Sequence, residues 1–458
     1  MKYIYIILAI LLVLVINSCG KEFLDEKPSK RTRVPNLLED YGALLDNTNL
    51  NAGSTHALGM IGGDEYYLTD VQYNTFPDRQ DIQYQKNAYT WNNTIYLGGD
   101  GADWTGGYAN ILVCNVIMDG LKRIKEEENR QEYNRIKGST HFFRALNYYN
   151  LAQLFCPVYD QSNLDKLGLP IRKEADITLK VNRSSIAETY EYILSELEVA
   201  ERLLPEQSLN VFRPTKSAVN ALKVRFYLQT GEYDKALNSC ENILKHYNSL
   251  IDFNTLNQQP GFTFVQNGVG NPEIFFYSTG ILPTILANNS YNIDSVLFTS
   301  YYSNDLRGHF YFKNNQSDKL LFMGSYSGSF SYFTGFAVDE ILLHQAECYA
   351  RINEGGKALQ TLNKLRKHRI QANAYSDLTS SDSQEILKWV LEEKKKELVL
   401  RGVRWEELRR LNKENKFKKT LTRKVGNMDY ELVPDSKKWT WPLPLEAIQS
   451  GGYIQNER

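Results

Sequence analysis

The strongest constraint on this chain is a spacing that occurs twice. In residues 217–246, Tyr227, Gly231, Tyr233 and Ala236 fit a pair of helices: a large side chain on the first, a tight turn within TGEYDKA, and a small residue where the second helix crosses. In residues 338–369, Ala346, Tyr349, Ala358, Leu362 and Leu365 repeat that register, with Gly355-Gly356 placed in the turn. One helix pair cannot cover its own apolar face, so such units stack until a continuous core forms. The spacing therefore calls for further helices elsewhere in the chain.

Two stretches supply them. From Ser139, the residues Phe142, Ala145, Leu146, Tyr149, Ala152 and Phe155 recur at three- and four-residue steps, one apolar stripe that a partner has to cover. From Ser185, an N-cap residue with Glu188 three positions on, Ile186, Tyr190, Ile193, Leu194, Leu197, Ala200 and Leu204 keep the same period until Pro205 stops it. The expected fold is all-α, a tetratricopeptide-like helical repeat scaffold with repeats at about 108–250 and 337–412.

Between the repeats lie two long segments without helical period, 47–107 and 251–336, rich in Gly, Asn, Asp, Ser and Tyr. Inserts of this length in a compact protein are functional or disordered. Their aromatic content decides for order: residues 64–108 hold 10 aromatics and residues 291–336 hold 13, whereas disordered tracts are aromatic-poor. They are expected to be packed loops with a few short strands, forming the ligand face.

The N-terminus sets the address. Lys2 precedes an apolar run over 3–16, too short to span a bilayer comfortably and placed like the apolar core of a secretory signal. The run ends Val15-Ile16-Asn17-Ser18-Cys19, which resembles a lipobox, so Cys19 is expected to be the lipidated first residue after cleavage of residues 1–18. Residues 19–35 read as a polar, proline-bounded tether, and 36–458 as a single globular domain. Cys114, Cys156, Cys240 and Cys348 are widely spaced within apolar helical stretches and are expected to be buried thiols.

The chemistry is mostly negative. A formal charge of -1 over 458 residues excludes a broad nucleic-acid footprint. The six histidines form no zinc pattern, no nucleophile elbow, P-loop or dinucleotide fingerprint is present, and no cofactor is implied. GGDGAD at 98–103 lacks the spacing of a calcium loop, so a structural calcium has no motif behind it. Residues 391–424 carry 13 Lys/Arg against 6 Glu, with Glu397/Arg401 and Glu406/Arg410 at i,i+4; they read as a solvated helix face. Aromatic rings can stack on the C–H face of a pyranose while Asn, Asp and Arg take its hydroxyls. On that ground Trp91 and Trp104, which the helix stripes do not claim, form the candidate binding set with Asn92, Asp64, Tyr66, Tyr67, Tyr301 and Tyr302.

Eight blocks in order resemble the SusD/RagB family of outer-membrane nutrient-uptake lipoproteins. They are SCGKEFLDEKPS, GSTHFFRALNYYNLAQLF, LGLPI with NRSSIAETYEYILSELEVAERLLP, RPTKSAVNALKVRFYLQTGEYDKAL, NPEIFF, LHQAECYARI with ALQTLNKLRKHR, EKKKELVLRGVRWEELRRL and WTWPLPLEAIQSGGYIQN. Ser139-Thr140 depart from the residues usual there, as does Leu400-Arg401-Gly402, where an acidic residue commonly precedes the glycine. The resemblance implies a non-catalytic, outward-facing lipoprotein of the outer membrane that captures oligosaccharides and hands them to a partner SusC-like TonB-dependent transporter. Two alternatives are a peptide-capturing member of the same family and a lipid-anchored glycoside hydrolase.

Overall fold

The computed structural model describes residues 35–47, 50, 56–98, 101–208, 210–314 and 319–458. Cys19, the leader and the tether lie outside them, as does Asp100 of the GGDGAD turn. The described chain begins with α1 (Leu38–Leu45), followed by α2 (Ala57–Gly62), β1 (Tyr66–Tyr67), α3 (Asp70–Thr75) and α4 (Gln80–Tyr89). Thus the described part of 47–107, expected to be irregular, holds the three short helices α2, α3 and α4. They are too brief to show a helical period, and neighbours rather than their own amphipathicity define them.

The scaffold follows as α5 (Ala102–Leu121), α6 (Arg130–Phe155), β2 (Leu167–Pro170), β3 (Arg183–Ser185), α7 (Ile186–Leu203), α8 (Lys216–Thr230) and α9 (Tyr233–Leu244). Helix α6 is buried on almost every side from Ile136 to Phe155 because α5 and α7 pack along it, with α1 and α8 also in contact. The stripe seen in the sequence is therefore only the most apolar face of a central helix. The capping box at α7 forms as expected: Ser185 Oγ accepts from the Glu188 N–H at 3.1 Å, and Glu188 Oε2 accepts from the Ser185 N–H at 2.7 Å.

The turn from α8 to α9 passes through Gly231 at φ +79°, where glycine is free of the Cβ clash that other residues meet. In the second repeat, α12 (Val338–Arg351) and α13 (Gly355–Lys367), the left-handed position is taken by Asn353 at φ +64°. Gly355 and Gly356 open α13 instead of making the turn. Between the repeats run β4 (Ile274–Phe276), β5 (Asn292–Ile293), α10 (Ser295–Thr299), α11 (Leu306–Phe310), β6 (Phe312–Asn314), β7 (Leu320–Phe322) and β8 (Phe336–Ala337). Five two-stranded antiparallel pairings occur among the described residues, including β1 with β5 and β6 with β7.

The chain closes with α14 (Ser383–Glu397), α15 (Arg404–Leu411), the hairpin of β9 (Leu421–Val425) and β10 (Met428–Leu432), and α16 (Leu445–Gly451). Trp405 stacks on Trp441 at 5.0 Å and lies 4.7 Å from Trp439, all three buried in the core. The four cysteines expected to be buried thiols are free and buried. No described helix is long and apolar enough to cross a membrane.

Candidate functional site

The segment 251–336 has little regular structure, so something other than backbone ladders must hold it. A buried charge network does so. Arg307 on α11 donates to Asp305 at 2.7 Å and to Glu397 of α14 at 2.8 Å, and also pairs with Glu393. Arg369, after α13, donates to Glu397 and to Glu273 at 2.8 Å each and to the Ile251 carbonyl at 2.7 Å. Arg401 meets Asp339 at 3.0 Å, and Arg225 of α8 clasps Glu340 at 2.6 and 2.9 Å.

Burial drives the Glu397 carboxyl up, but the Arg369 and Arg307 guanidiniums outweigh it and hold Glu397 below its ordinary range. Glu273, Asp339 and Glu397 have oxygens within 4.8 Å of one another. Arginine side chains meet these carboxylates directly, so the cluster is an ion network joining the irregular segment to the scaffold.

This overturns the reading of 391–424 as a solvated face. Glu397 and Arg401 do not pair with each other; both are buried and reach other elements. Glu406 accepts from the Tyr149 hydroxyl at 3.0 Å, and Arg410 pairs with Glu347 at 2.6 Å. Asp64, a candidate ligand contact, belongs to the same machinery: Arg404 holds it at 2.7 and 3.0 Å and Lys419 at 2.6 Å.

Above the network lies a cleft of about 650 Å³ lined by Phe298, Phe312, His309, Lys313, Asn314, Gln258 and Gln259, among others. Arg307 anchors α11, which carries His309 into the cleft. Tyr301 donates its hydroxyl to the Lys396 carbonyl at 2.7 Å and meets Phe312 at 5.2 Å, so it supports the wall from behind. Phe298 packs edge-on against Phe312 at 5.5 Å and stays 37% exposed. Lys313 binds the carbonyls of Gln259 and Gly261 and so fixes the opposite rim. Ring edges, amides, an imidazole and an ammonium thus share one opening.

The sequence-predicted residues are dispersed. Trp91 is fully buried, donates its indole N–H to the Gly62 carbonyl at 3.2 Å and packs under Arg423, so it offers no ring face to a ligand. Tyr66 is buried and donates to the Ile61 carbonyl at 3.0 Å. Asn92 is exposed, its side chain accepting from the Thr94 N–H at 3.2 Å. Tyr67 and Tyr302 are surface residues, 43% and 72% exposed, outside the cleft lining.

Trp104 lines a different cavity, of about 510 Å³, with Tyr108, Tyr453, Arg172, Glu174 and Glu446. Sequence reasoning missed Phe298, Phe312, His309 and Lys313; the aromatic density of 291–336 was the available signal, but it marks a segment and not the rings that face out.

Two family models match the chain in tandem. Residues 22–228 match one described as starch-binding and associating with the outer membrane, and residues 289–456 match the SusD family model. SusD-like protein P2 of Formosa agariphila is 24% identical over 158 residues, a stretch that covers 34% of this chain and 30% of that protein's length. SusD-like protein P38 of the same organism is 20% identical over 410 residues, covering 74% of this chain and 76% of that protein.

Among solved structures, a SusD superfamily protein from Bacteroides thetaiotaomicron superposes with a TM-score of 0.73 at 20% identity, covering 92% of this chain and 100% of that one. A SusD-like carbohydrate binding protein from Bacteroides vulgatus gives 0.67 at 16% identity, covering 91% and 97%. At such identities the likeness carries the fold. With both family models matched in order along it, the chain belongs to the SusD/RagB family.

Proposed function

We propose that this protein captures oligosaccharides at the cell surface and delivers them to a SusC-like TonB-dependent transporter, held to the outer membrane through a lipidated Cys19. The observation that carries the reading is the cleft of 251–336. Phe298, backed by the buried Phe312 ring, stands beside Gln258, Gln259, His309, Lys313 and Asn314, a mixture of exposed apolar ring and short polar groups of the kind that a sugar requires. Among the described residues no Asp or Glu lines the cleft, so its described walls hold no pair of carboxylates of the kind used in glycoside hydrolysis. The family's starch-binding description and the carbohydrate binding named for the Bacteroides vulgatus relative support a glycan over a peptide.

Affinity electrophoresis of the full chain through gels containing different polysaccharides tests this. Retardation by at least one polymer is expected, lost in Phe298→Ala and reduced in His309→Ala, with no sugar released. Retardation that survives both variants but is lost in a folded Trp104→Ala would move the site to the Trp104 cavity. No retardation by any polymer would refute the glycan reading.

A further inference from the structure

A third cavity, of about 620 Å³, lies away from the loop segment, between the α6–β2 connection, α15 and the chain near its C-terminus. Its walls are largely apolar, with Pro157, Leu167, Pro434, Trp439 and Ile454 among them, but Arg409 and Asn412 form part of the lining. Both are buried, at 3% and 5% exposure, and each keeps a donor without an acceptor: Arg409 Nε and Asn412 Nδ2.

The rest of the Arg409 guanidinium caps α6, donating to the carbonyls of Gln153 and Cys156 at that helix's C-terminus. Unlike Arg225, Arg307, Arg369 and Arg410, it has no carboxylate within ion-pair distance among the described residues. Asn412 Oδ1 is occupied, accepting from the Lys419 N–H at 2.9 Å. Around the opening stand Lys166, Lys413 and Lys437 against Asp435 and Glu457, so with Arg409 the lining is net positive. A buried donor left unmet costs stability, and a guanidinium is matched best by a carboxylate.

We propose that this cavity is a ligand site for a small carboxylate with a compact apolar body, its acid group directed to Arg409 and Asn412. An acidic sugar and a hydrophobic acid share that chemistry. Saturation-transfer NMR on the full chain with D-glucuronate, D-glucose and benzoate separates the two. Transfer to glucuronate alone assigns an acidic sugar, and transfer to benzoate alone assigns a hydrophobic acid.

Asn412→Asp keeps the oxygen that accepts from Lys419 and replaces the unmet donor with a repelling oxygen, so acid binding is expected to weaken at least about tenfold. Lys166→Ala removes a rim cation whose side chain is exposed and is expected to weaken binding by about two- to fivefold. Phe298→Ala is expected to leave acid binding unchanged, so failure here is distinct from failure of the glycan reading. Absence of transfer to either acid, transfer to glucose as strong as to glucuronate, or unchanged acid binding in a folded Asn412→Asp protein would overturn the proposal. If Asn412→Asp does not fold, unchanged binding in Lys166→Ala would overturn it.

Discussion

Helices α7 and α14 look alike in outline but differ in how much charge they bury. Helix α7 buries Ile186, Tyr190, Ile193, Leu197 and Ala200 along one stripe together with a single charge, Glu196, which Arg144 and His141 of α6 meet, and leaves Glu188, Glu191, Glu198 and Arg202 exposed. Helix α14 begins the same way, with Ile386, Leu387, Val390 and Leu391 buried, but its second half buries Glu393, Lys394 and Glu397. The charges of α14 are met by Arg307, Arg369, Glu347 and Glu407, all remote in the sequence. A run of Lys and Glu at helical spacing therefore says nothing of exposure until the partners are known. Apolar contact with one buried ion pair positions α7, whereas an apolar half and a network of paired charges position α14 together with the irregular segment that bears the cleft.

The comparison can be broken most sharply at Arg369. Arg369→Ala leaves Glu273 and Glu397 buried with their shared cation gone, and should cost about 3–5 kcal/mol of unfolding free energy. Urea titration would read this, and a loss under 1 kcal/mol would mean the network is not what holds the segment.

Trp91→Ala tests the aromatic side of the same contrast. Its fully buried ring predicts a loss of about 3–5 kcal/mol instead of a selective loss of binding. Leu197→Ala in α7 should cost about 3 kcal/mol by the same cavity argument, with binding retained once the protein is folded.

The pH response sharpens the picture further. Burial pushes Glu65 up from 4.5 to about 7, while the Leu400 N–H it accepts at 2.8 Å pulls the other way. The folded state thus keeps a proton that the unfolded chain has released, so this group's contribution to stability falls as pH rises from about 4.5 to about 7. Glu65→Gln retains an oxygen for Leu400 and should raise stability at pH 8 by about 1–3 kcal/mol while changing little at pH 4. Melting curves at the two pH values would show it.

His56 has the opposite sign. Burial lowers it to about 4, so its contribution is lost as pH falls from 6.5 toward 4. The smallest effect is expected at Lys388, whose i,i+4 partner Glu392 is exposed with it at 3.9 Å. Lys388→Ala should change stability by less than about 0.5 kcal/mol, in contrast to Arg369.

Much of the scaffold was legible beforehand because local rules govern it. The Ser185 box, the Pro205 stop, the Gly231 turn and the apolar register of α8/α9 and α12/α13 each depend on residues within a few positions of one another. The eight ordered blocks carried the family for the same reason, since each is local. The candidate site was less legible. Trp91 and Trp104 were singled out because no helical stripe claimed them, yet Trp91 is claimed by Gly62 and Arg423 across the fold. Phe298 and His309 were not singled out, because nothing nearby in the chain separates an exposed ring from a buried one.

What the sequence determined by itself is the long scaffold helices and their stacking as repeats, which are consequences of periodicity and capping, and, through its ordered blocks, the family resemblance. Only the tertiary structure decided which aromatics face outward and which charges are buried. Exposure is a property of three-dimensional neighbours, and here those neighbours, such as Arg307 with Glu397 or Arg423 with Trp91, are separated by tens to hundreds of residues.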